Sequence, residues 1–209
     1  DLNADGKADL VVANSGSNTI SVLKGNGNGT FAAQVTYAVG RSPSSVALGD
    51  LNGGLLDIMV ANQGDDNLSV LLNTGTASGT LSFGTPTTYA LGDAPAAVAA
   101  RDFNGDTLLD LVAANRSDHT VSVLLNAGNG TFSAQTTYAV GATPVALALG
   151  DLNADSKTDL VVANQGGGTV SVLLGSGTGT FAPQVVDKVL ASPSAVALGD
   201  TSGDGVLDL

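Results

Sequence analysis

The hydrophobic residues of this chain fall into short runs and not into a helical pattern. One kind of run is mostly apolar, ends in Asn, and recurs at residues 10–14, 58–62, 111–115 and 160–164. Its length and its β-branched residues predict a strand that is buried on both faces. A polar turn follows each run. A second strand is then predicted at residues 19–23, 67–71, 120–124 and 169–173, where apolar and polar positions alternate in part.

Two more strands complete the unit. A Gly-rich hairpin signal, at residues 25–29 in its first copy, leads to a third predicted strand that contains Tyr, at residues 34–40. A fourth strand, at residues 43–49, is rich in small side chains and runs directly into a polar loop. No stretch carries a helical period, so the sequence predicts an all-β fold.

The whole unit repeats along the chain. An Asp begins a polar loop at positions 1, 50, 102, 151 and 200, at intervals of 49, 52, 49 and 49 residues. Four short antiparallel strands in about 49 residues is the size of one β-propeller blade. We therefore predict a single repeat domain over residues 1–209, with about four repeats that start near 1, 50, 102 and 151 and a partial fifth at 200.

The residues also predict the order of strands within a blade. The strand with small side chains should be innermost, at the crowded axis, and the Tyr strand outermost. A Phe recurs at one place in every repeat and should pack between neighbouring blades; these residues are Phe31, Phe83, Phe132 and Phe181. Because a closed ring of four blades needs only four loops, the fifth loop predicts that the chain is an excerpt of a larger propeller or repeat array.

The polar loops carry the candidate chemistry. In loop 1 (residues 1–9), oxygen-bearing side chains stand at loop positions 1, 3, 5 and 9, with Gly at position 6. Loop 3 (102–110), loop 4 (151–159) and loop 5 (200–208) repeat this spacing. Calcium takes roughly six to eight oxygen ligands, and alternate residues of a tight loop can turn toward one ion. The Gly allows the sharp bend, position 7 can offer its backbone carbonyl, and the Asp at position 9 can close the site.

Other interpretations of the loops are weaker. Asp, Asn and Gly are common turn residues, so one copy alone could be a plain turn. Five copies in register favour a metal site. Magnesium needs a stricter octahedron, and transition metals favour His or Cys ligands. The chain has no Glu, and strands follow the loops, which disfavours a helix-flanked EF-hand. Loop 2 (50–57) is one residue short and lacks the middle Asp, so we expect it to bind weakly or not at all.

Composition limits the choice of partner and compartment. The net charge is −12, and most of the Asp residues lie in the loops. The 7 basic residues are scattered, so nucleic acid is not expected as a partner. No apolar run reaches the length of a membrane span, so no membrane insertion is expected. Loops of this type stay filled best where free calcium is near millimolar, which favours an extracellular or cell-surface location.

No catalytic residue is predicted. The chain has no Cys, and its single His, His119, falls in a predicted turn between two strands of one blade. Ser and Thr are abundant, but none has a base partner in the sequence pattern. Paired Asp residues could serve as acid and base, yet metal ligation explains them better. We therefore expect a protein that is not an enzyme.

The repeat resembles a known family. The unit Gly-Asp-Leu-Asn-x-Asp-Gly-Lys-x-Asp-Leu-Val-Val-Ala-Asn, followed by Ser-Val-Leu-Leu and Gly-x-Gly-x-Gly-Thr-Phe, is similar to the FG-GAP/VCBS repeats. These repeats occur in integrin α-chain propellers and in many large bacterial surface proteins. The resemblance covers the whole chain. It implies propeller blades, often seven to a ring, with calcium in the loop between the first and second strands of a blade.

The resemblance also implies a set of calcium ligands. Side chains would come from Asp1, Asn3, Asp5, Asp9, Asp102, Asn104, Asp106, Asp110, Asp151, Asn153, Asp155, Asp159, Asp200, Ser202, Asp204 and Asp208. Backbone carbonyls would come from Lys7, Leu108, Lys157 and Val206. In loop 2 only Asp50, Asn52 and Asp57 match. This gives about four calcium sites and one degenerate loop. Thr107 and Ser156 replace the Gly at position 6, which puts the full loop geometry in question there.

Three functions fit these expectations. The first is a calcium-stabilised, extracellular scaffold or adhesin that binds a surface glycan or protein, or associates with itself into an array or fibre. The second is a lectin-like propeller that recognises a glycan or protein. The third is the non-catalytic propeller of a larger secreted enzyme. The recurring aromatic residues lie in or beside strands and Trp is absent, which favours the scaffold over the lectin.

Overall fold

The computed structural model describes residues 1–203 and 205–209. All of its regular elements in this part of the chain are strands, labelled β1 to β17 in chain order. Their bounds are β1 Leu10–Asn14, β2 Thr19–Leu23, β3 Val35–Ala38, β4 Pro43–Gly49, β5 Asp57–Asn62, β6 Asn67–Leu71, β7 Thr87–Ala90, β8 Pro95–Arg101, β9 Asp110–Asn115, β10 Thr120–Leu124, β11 Asn126–Gly128, β12 Thr131–Phe132, β13 Thr136–Ala139, β14 Pro144–Gly150, β15 Asp159–Asn164, β16 Thr169–Leu173 and β17 Val185–Lys188.

The strands form four successive antiparallel sheets, which we call blades I to IV. Blade I contains β1-β2-β3, blade II β4-β5-β6-β7, blade III β8-β9-β10-β13 and blade IV β14-β15-β16-β17. The short pair β11 and β12 forms the hairpin tip of blade III. No helix in the described part of the chain is long and apolar enough to cross a membrane. The all-β fold and the four-stranded blades predicted from the sequence are therefore confirmed.

The order of strands within the blades follows the predicted order. The strands with small side chains, β4, β8 and β14, contact one another and so lie innermost. The strands that follow the inner strands, β5, β9 and β15, pair with a strand on each edge and are buried along their whole length. The outermost strands β7 and β13 carry Tyr89 and Tyr138.

One predicted strand is not formed. Residues 193–199 have an inner-strand sequence, but in the described residues their ladder consists of a single bridge between Gly199 and Asp208. In blade II the corresponding strand pairs along its length with the strand after its loop, from Gly49 opposite Asp57 to Pro43 opposite Asn62. Residues 193–199 therefore lack the strand ladder that the inner strand of blade II has.

The hydrophobic core lies between blades. One cluster joins blades I and II through residues such as Ile20, Ile58 and Leu71, and equivalent clusters join blades II and III and blades III and IV. Three of the recurring Phe residues belong to these junctions, as the sequence predicted: Phe83, Phe132 and Phe181. Phe31 lies in the first blade, is 38% exposed and belongs to none of these three clusters, so the prediction was wrong for this residue. Phe83 packs edge-on against Tyr37 of the preceding blade, with ring centroids 5.4 Å apart. Tyr89–Phe132 and Tyr138–Phe181 repeat this contact at 5.3 and 5.6 Å.

Candidate ion-binding loops

Loops 2, 3 and 4 lie where an inner strand turns into the second strand of its blade, and loop 1 precedes β1 in the same way. Their sharp bend rests on left-handed backbone at two loop positions. Position 4 has a positive φ in Ala4 (51°), Gly105 (80°) and Ala154 (59°). Position 6 has a positive φ in Gly6 (81°), Thr107 (73°) and Ser156 (64°), as well as in Gly205. Loops 3 and 4 therefore keep the bend without Gly at position 6, at some cost in backbone strain.

The first Asp of each loop gathers backbone N–H groups. In loop 3, Asp102 Oδ1 accepts from Asn104 N (3.0 Å) and Gly105 N (2.7 Å), while Oδ2 accepts from Thr107 N (2.8 Å). Burial acts to raise the pKa of Asp102, but the N–H donors outweigh it and lower the pKa below its ordinary value. Asp1, Asp151 and Asp200 bind their loop N–H groups in the same manner. The first Asp thus fixes the fold of its own loop.

The residues at positions 3 and 5 meet each other. The amide nitrogen of Asn104 lies 2.9 Å from Asp106 Oδ2, and the matching distances in loops 1 and 4 are both 3.3 Å. Position 5 also accepts the N–H of position 7, as Asp106 does from Leu108 at 2.8 Å. Position 1 is joined to position 5 through the hydrogen bond from Asp5 N to Asp1 in loop 1. The structure therefore brings the side chains of positions 3 and 5 together and ties the Asp at position 1 to the backbone of position 5.

The last Asp of each loop makes a second kind of contact. In loop 3, Asp110 Oδ2 accepts from Phe103 N (2.9 Å) at the start of the loop, and Oδ1 accepts from Asn126 N (2.8 Å) in the hairpin after β10. Asp9, Asp57 and Asp159 join the same two segments of their own repeats. Asp110 is fully buried, and burial raises its pKa. This Asp is a clamp between loop and hairpin, a role that the sequence interpretation missed.

Basic side chains lie beside two of the middle Asp residues. Lys24 Nζ is 3.1 Å from Asp5 Oδ2, and Lys157 Nζ is 3.2 Å from Asp155 Oδ2. Both ion pairs are partly exposed, so each stabilises the fold only weakly. They show that the carboxylates at position 5 attract positive charge. Lys7 and Lys157 occupy position 7 of loops 1 and 4, where the backbone carbonyl was the predicted ligand.

Loop 2 differs from the others as its sequence suggested. Asp50 Oδ1 accepts three N–H groups, from Asn52 (3.1 Å), Gly53 (2.7 Å) and Gly54 (2.8 Å). The hydrogen bond from Gly54, together with those from Asn52 and Gly53, lowers the pKa of Asp50 despite some burial. Loop 2 has no carboxylate at position 5, so it lacks one of the oxygen ligands that the complete loops could offer to a cation.

Loop 5 is described in part. Gly203 N donates to Asp200 Oδ1 (2.6 Å) and Gly205 N donates to Oδ2 (2.9 Å). Asp208 accepts from Thr201 N at 2.9 Å and from Ser202 N at 3.0 Å. Asp204, the predicted ligand at position 5, lies outside the described residues. The first and last Asp of loop 5 thus accept N–H groups of their own loop, as in loops 1, 3 and 4.

The oxygen atoms that the loops could offer as metal ligands suit a hard cation. Residues 1–203 and 205–209 contain no group of three or more Asp or His side chains already placed to hold a metal ion, so a cation would also have to use amide and carbonyl oxygens. One such oxygen is Asn3 Oδ1, which is buried and has no hydrogen-bond partner. Asn62, Asn115 and Asn164 also have unpartnered amide oxygens, but at the far ends of β5, β9 and β15. Buried oxygens of this kind usually bind ordered water, whereas Asn3 lies in a loop with three carboxylates.

A second set of polar residues joins the blades at the edge opposite the loops. Asn18, Asp66 and His119 occupy one turn position and share a left-handed backbone. Each accepts the backbone N–H of a residue in the connection to the next blade. Asn18 Oδ1 accepts from Ser42 N (2.9 Å), Asp66 Oδ1 from Ala94 N (2.9 Å) and His119 Nδ1 from Thr143 N (3.0 Å). His119 is an exposed turn residue, as predicted, and its ring holds a connection between blades.

Comparison with known proteins identifies the repeat. The sequence profile of the FG-GAP-like repeat matches residues 1–53, 54–113, 102–162 and 151–209, which together cover the chain. The chain belongs to the FG-GAP-like repeat family. The resemblance inferred from the loop and strand motifs is confirmed. A comparison with curated proteins finds no match.

Several solved structures share the fold of this FG-GAP-like chain. One is BBS1N in complex with ARL6DN, at 17% identity and a TM-score of 0.64, with 94% of this chain and 57% of that chain covered. Another is virginiamycin B lyase from Staphylococcus aureus, at 15% identity and a TM-score of 0.60, with 99% and 60% covered. A third is an Agrocybe aegerita lectin that recognises non-reducing terminal N-acetylglucosamine, at 21% identity and a TM-score of 0.56, with 88% and 50% covered. The chain spans between half and three fifths of these proteins, and the likeness shows the fold alone.

Proposed function

We propose that this chain is a calcium-stabilised, non-enzymatic propeller module that acts outside the cell as a surface scaffold or adhesin. The observation that carries the proposal is the repeated meeting of loop positions 3 and 5 beside the Asp at position 1. Three carboxylates and one amide occur in every complete loop, apart from loop 5, where Ser202 replaces the amide. A divalent cation would neutralise these like charges and fix the turn between two strands.

The donor chemistry favours calcium over other metals. Carboxylate, amide and backbone carbonyl oxygens are the ligands of hard cations, whereas zinc and copper sites use His and Cys. His119 lies outside the loops, and the chain has no Cys. When bound, calcium would supply charge neutralisation and rigidity, with ligands from positions 1, 3, 5 and 9 and the carbonyl of position 7. Extracellular modules bind calcium with dissociation constants of roughly 10⁻⁴ to 10⁻³ M, which matches the proposed location.

A thermal unfolding experiment tests the calcium role. We expect the melting temperature to be several degrees higher in millimolar calcium than in excess chelator, because the ion binds only the folded loops. Asp155→Ala should reduce this calcium-dependent increase, since it removes the position 5 ligand of loop 4. Asp187→Ala is the matched control, because Asp187 is exposed on the outer strand β17. A melting temperature that is the same with calcium and with chelator would rule out a structural metal.

Recognition of a glycan or protein is the second candidate. It is supported by the similarity in fold to a lectin and to a propeller solved with a protein partner. Shallow grooves also open on the outer rim between blades, one lined by Tyr89 and Phe132 and the next by Tyr138 and Pro183. Binding to a glycan array that is lost in Tyr89→Ala but retained in Asp187→Ala would favour recognition over a scaffold. The third expectation, the non-catalytic propeller of a larger secreted enzyme, stays a prediction.

A further inference from the structure

The hairpin that precedes the outer strand is longer in blade II than in the other blades. In blade II it closes with a bridge between Asn73 and Phe83, whereas the bridges of blades I and IV join Gly25 to Phe31 and Gly175 to Phe181. The blade II hairpin, residues 73–83, is therefore four residues longer; we call it the long hairpin. The sequence shows this insertion but gives no reason for it.

The extra residues reach loop 1 of the neighbouring blade. Ser78 N donates to the carbonyl oxygen of Asn3, and Ser78 Oγ donates to the carbonyl oxygen of Ala4 at 3.3 Å. The side-chain amide of Asn3 donates in turn to Gly79 O at 3.2 Å. These three hydrogen bonds join the tip of the long hairpin to loop positions 3 and 4.

The shorter hairpins reach less far. The blade III hairpin donates to loop 2 only at Leu51 O, from Gly130 N (3.1 Å) and from the side chain of Asn126 (3.1 Å). The blade IV hairpin likewise meets loop 3 at Phe103 O, through Gly179 N (2.9 Å). Both contacts stop at loop position 2, and at position 3 Asn52 is exposed and Asn104 is half-buried.

The long hairpin changes the exposure of the candidate ligands. Asn3 is completely buried, whereas Asn52 and Asn104, which lie beside the shorter hairpins of blades III and IV, are exposed and half-buried, respectively. Asp5, which also pairs with Lys24, is half-buried, whereas Asp106 in loop 3 is exposed. Loop 1 is therefore the one complete loop in the described part of the chain whose position 3 is shut off from solvent.

The buried amide of Asn3 also has an unmet hydrogen-bonding capacity. Asn3 Oδ1 has no partner, whereas Asn104 Oδ1 accepts from Asp106 N at 2.9 Å and Asn153 Oδ1 accepts from Asp155 N at 3.1 Å. A buried oxygen without a donor is unfavourable unless a bound group satisfies it. The amide nitrogen of Asn3 lies 3.3 Å from Asp5 Oδ2, so the unpartnered oxygen belongs to a side chain that contacts a carboxylate of the same loop. A cation bound by loop 1 would satisfy this oxygen.

We propose that the long hairpin is a lid over the ion site of loop 1. The lid makes this site exchange its ion more slowly than the open loops, and it couples ion binding to the docking of blade II on blade I. This inference rests on the proposed calcium function. An ion leaving loop 1 must wait for the lid to open, which breaks three hydrogen bonds. Each such bond changes an equilibrium constant by roughly fivefold, so release from loop 1 should be at least about tenfold slower than from loops 3 and 4.

Stopped-flow mixing of the calcium-loaded chain with a fluorescent calcium chelator measures this directly. We expect two phases of calcium release, with one slow ion per chain. Replacing residues 73–83 by the seven-residue hairpin of blade III, residues 126–132, should convert the slow phase to the fast rate without loss of bound calcium. Asp5→Asn should remove the slow phase while leaving the hairpin intact, and Asp155→Asn should remove only fast-phase calcium.

The outcomes separate the lid from the calcium function. Calcium binding with a single release rate, or a slow phase that survives both the hairpin replacement and Asp5→Asn, would overturn the lid and leave the proposed function standing. A chain that binds no calcium would overturn both. If the hairpin replacement does not fold, as judged by circular dichroism, the comparison of Asp5→Asn with Asp155→Asn still decides where the slow ion sits.

Discussion

The clamp formed by the last Asp of a loop can be tested without any metal. Asp110 is fully buried, and its two oxygens accept the N–H groups of Phe103 and Asn126. Asp110→Ala removes both hydrogen bonds and leaves two buried N–H groups without a partner. We therefore expect the variant to be less stable even in excess chelator, where no ion can contribute.

The size of this effect follows from the two contacts. A hydrogen bond to a charged acceptor contributes roughly 1.5–3 kcal/mol, and an unsatisfied buried donor carries its own penalty. The substitution also removes a buried charge that costs stability, which is why burial raises the pKa of Asp110. The net loss in the free energy of unfolding should be about 2–4 kcal/mol. Asp110→Asn keeps one acceptor oxygen, so its loss should be smaller.

Local hydrogen exchange is the sharpest assay, because repeat proteins can unfold in parts. In Asp110→Ala, the amides of Phe103 and Asn126 should exchange much faster than in the unmodified chain, and the denaturation midpoint should fall. Asp187→Ala, which changes an exposed residue of β17, is the control. Unchanged exchange at both amides, with a midpoint equal to that of the control, would refute the clamp.

Two further predictions concern packing and pH. A Cβ at Gly141 would lie 2.5 Å from the side-chain nitrogen of Asn164, so Gly141→Ala should lower the free energy of unfolding by about 1–3 kcal/mol. Gly16 has open space around it, so Gly16→Ala should not lower the melting temperature by a comparable amount. In the metal-free chain, carboxyl-carbon NMR should show Asp102 titrating below and Asp110 above the ordinary pKa of 3.8. The contribution of Asp102 to stability is then present above pH 3.8 and is lost as the pH falls through its lowered pKa in the folded chain. The contribution of Asp110 is present below pH 3.8 and is lost as the pH rises through its raised pKa in the folded chain. The reverse order of titration would contradict the hydrogen-bond pattern of loop 3.

The strands and their order could be predicted because each repeat carries its own local signals. Apolar runs of β-branched residues gave β5, β9 and β15, and small residues marked the inner strands. The position of Phe between blades also followed, because an aromatic residue at one place in every repeat is best explained by a repeated packing site. These signals act within about one repeat of the chain.

The specific partners in the contacts between repeats could not be predicted. The partner of Phe83 is Tyr37, far away in the sequence, and no local pattern pairs them. Within one repeat, the bond between Asp110 and Asn126 was also missed, because it spans 16 positions and the sequence pattern indicated only a metal ligand at Asp110. The left-handed backbone at Ala4 could not be predicted either, since residues such as Gly and Asn indicate that conformation in a sequence and Ala does not.

Sequence also could not separate the loops by exposure. Loops 1 and 3 have the same residue types at positions 1, 3, 5 and 9, so the sequence alone makes their ion sites look equivalent. The structure distinguishes them because the long hairpin of blade II buries Asn3, whereas the shorter hairpin of blade IV leaves Asn104 half-buried. The four-residue insertion was visible, but its target depends on how neighbouring blades pack.

The most direct test of the account is a crystal structure of the chain grown in calcium, with anomalous diffraction data to locate the ions. The account predicts an anomalous peak in loops 1, 3, 4 and 5, coordinated by positions 1, 3, 5 and 9, and none or a weak one in loop 2. A propeller fold with no ion in any complete loop would contradict the proposed role of calcium.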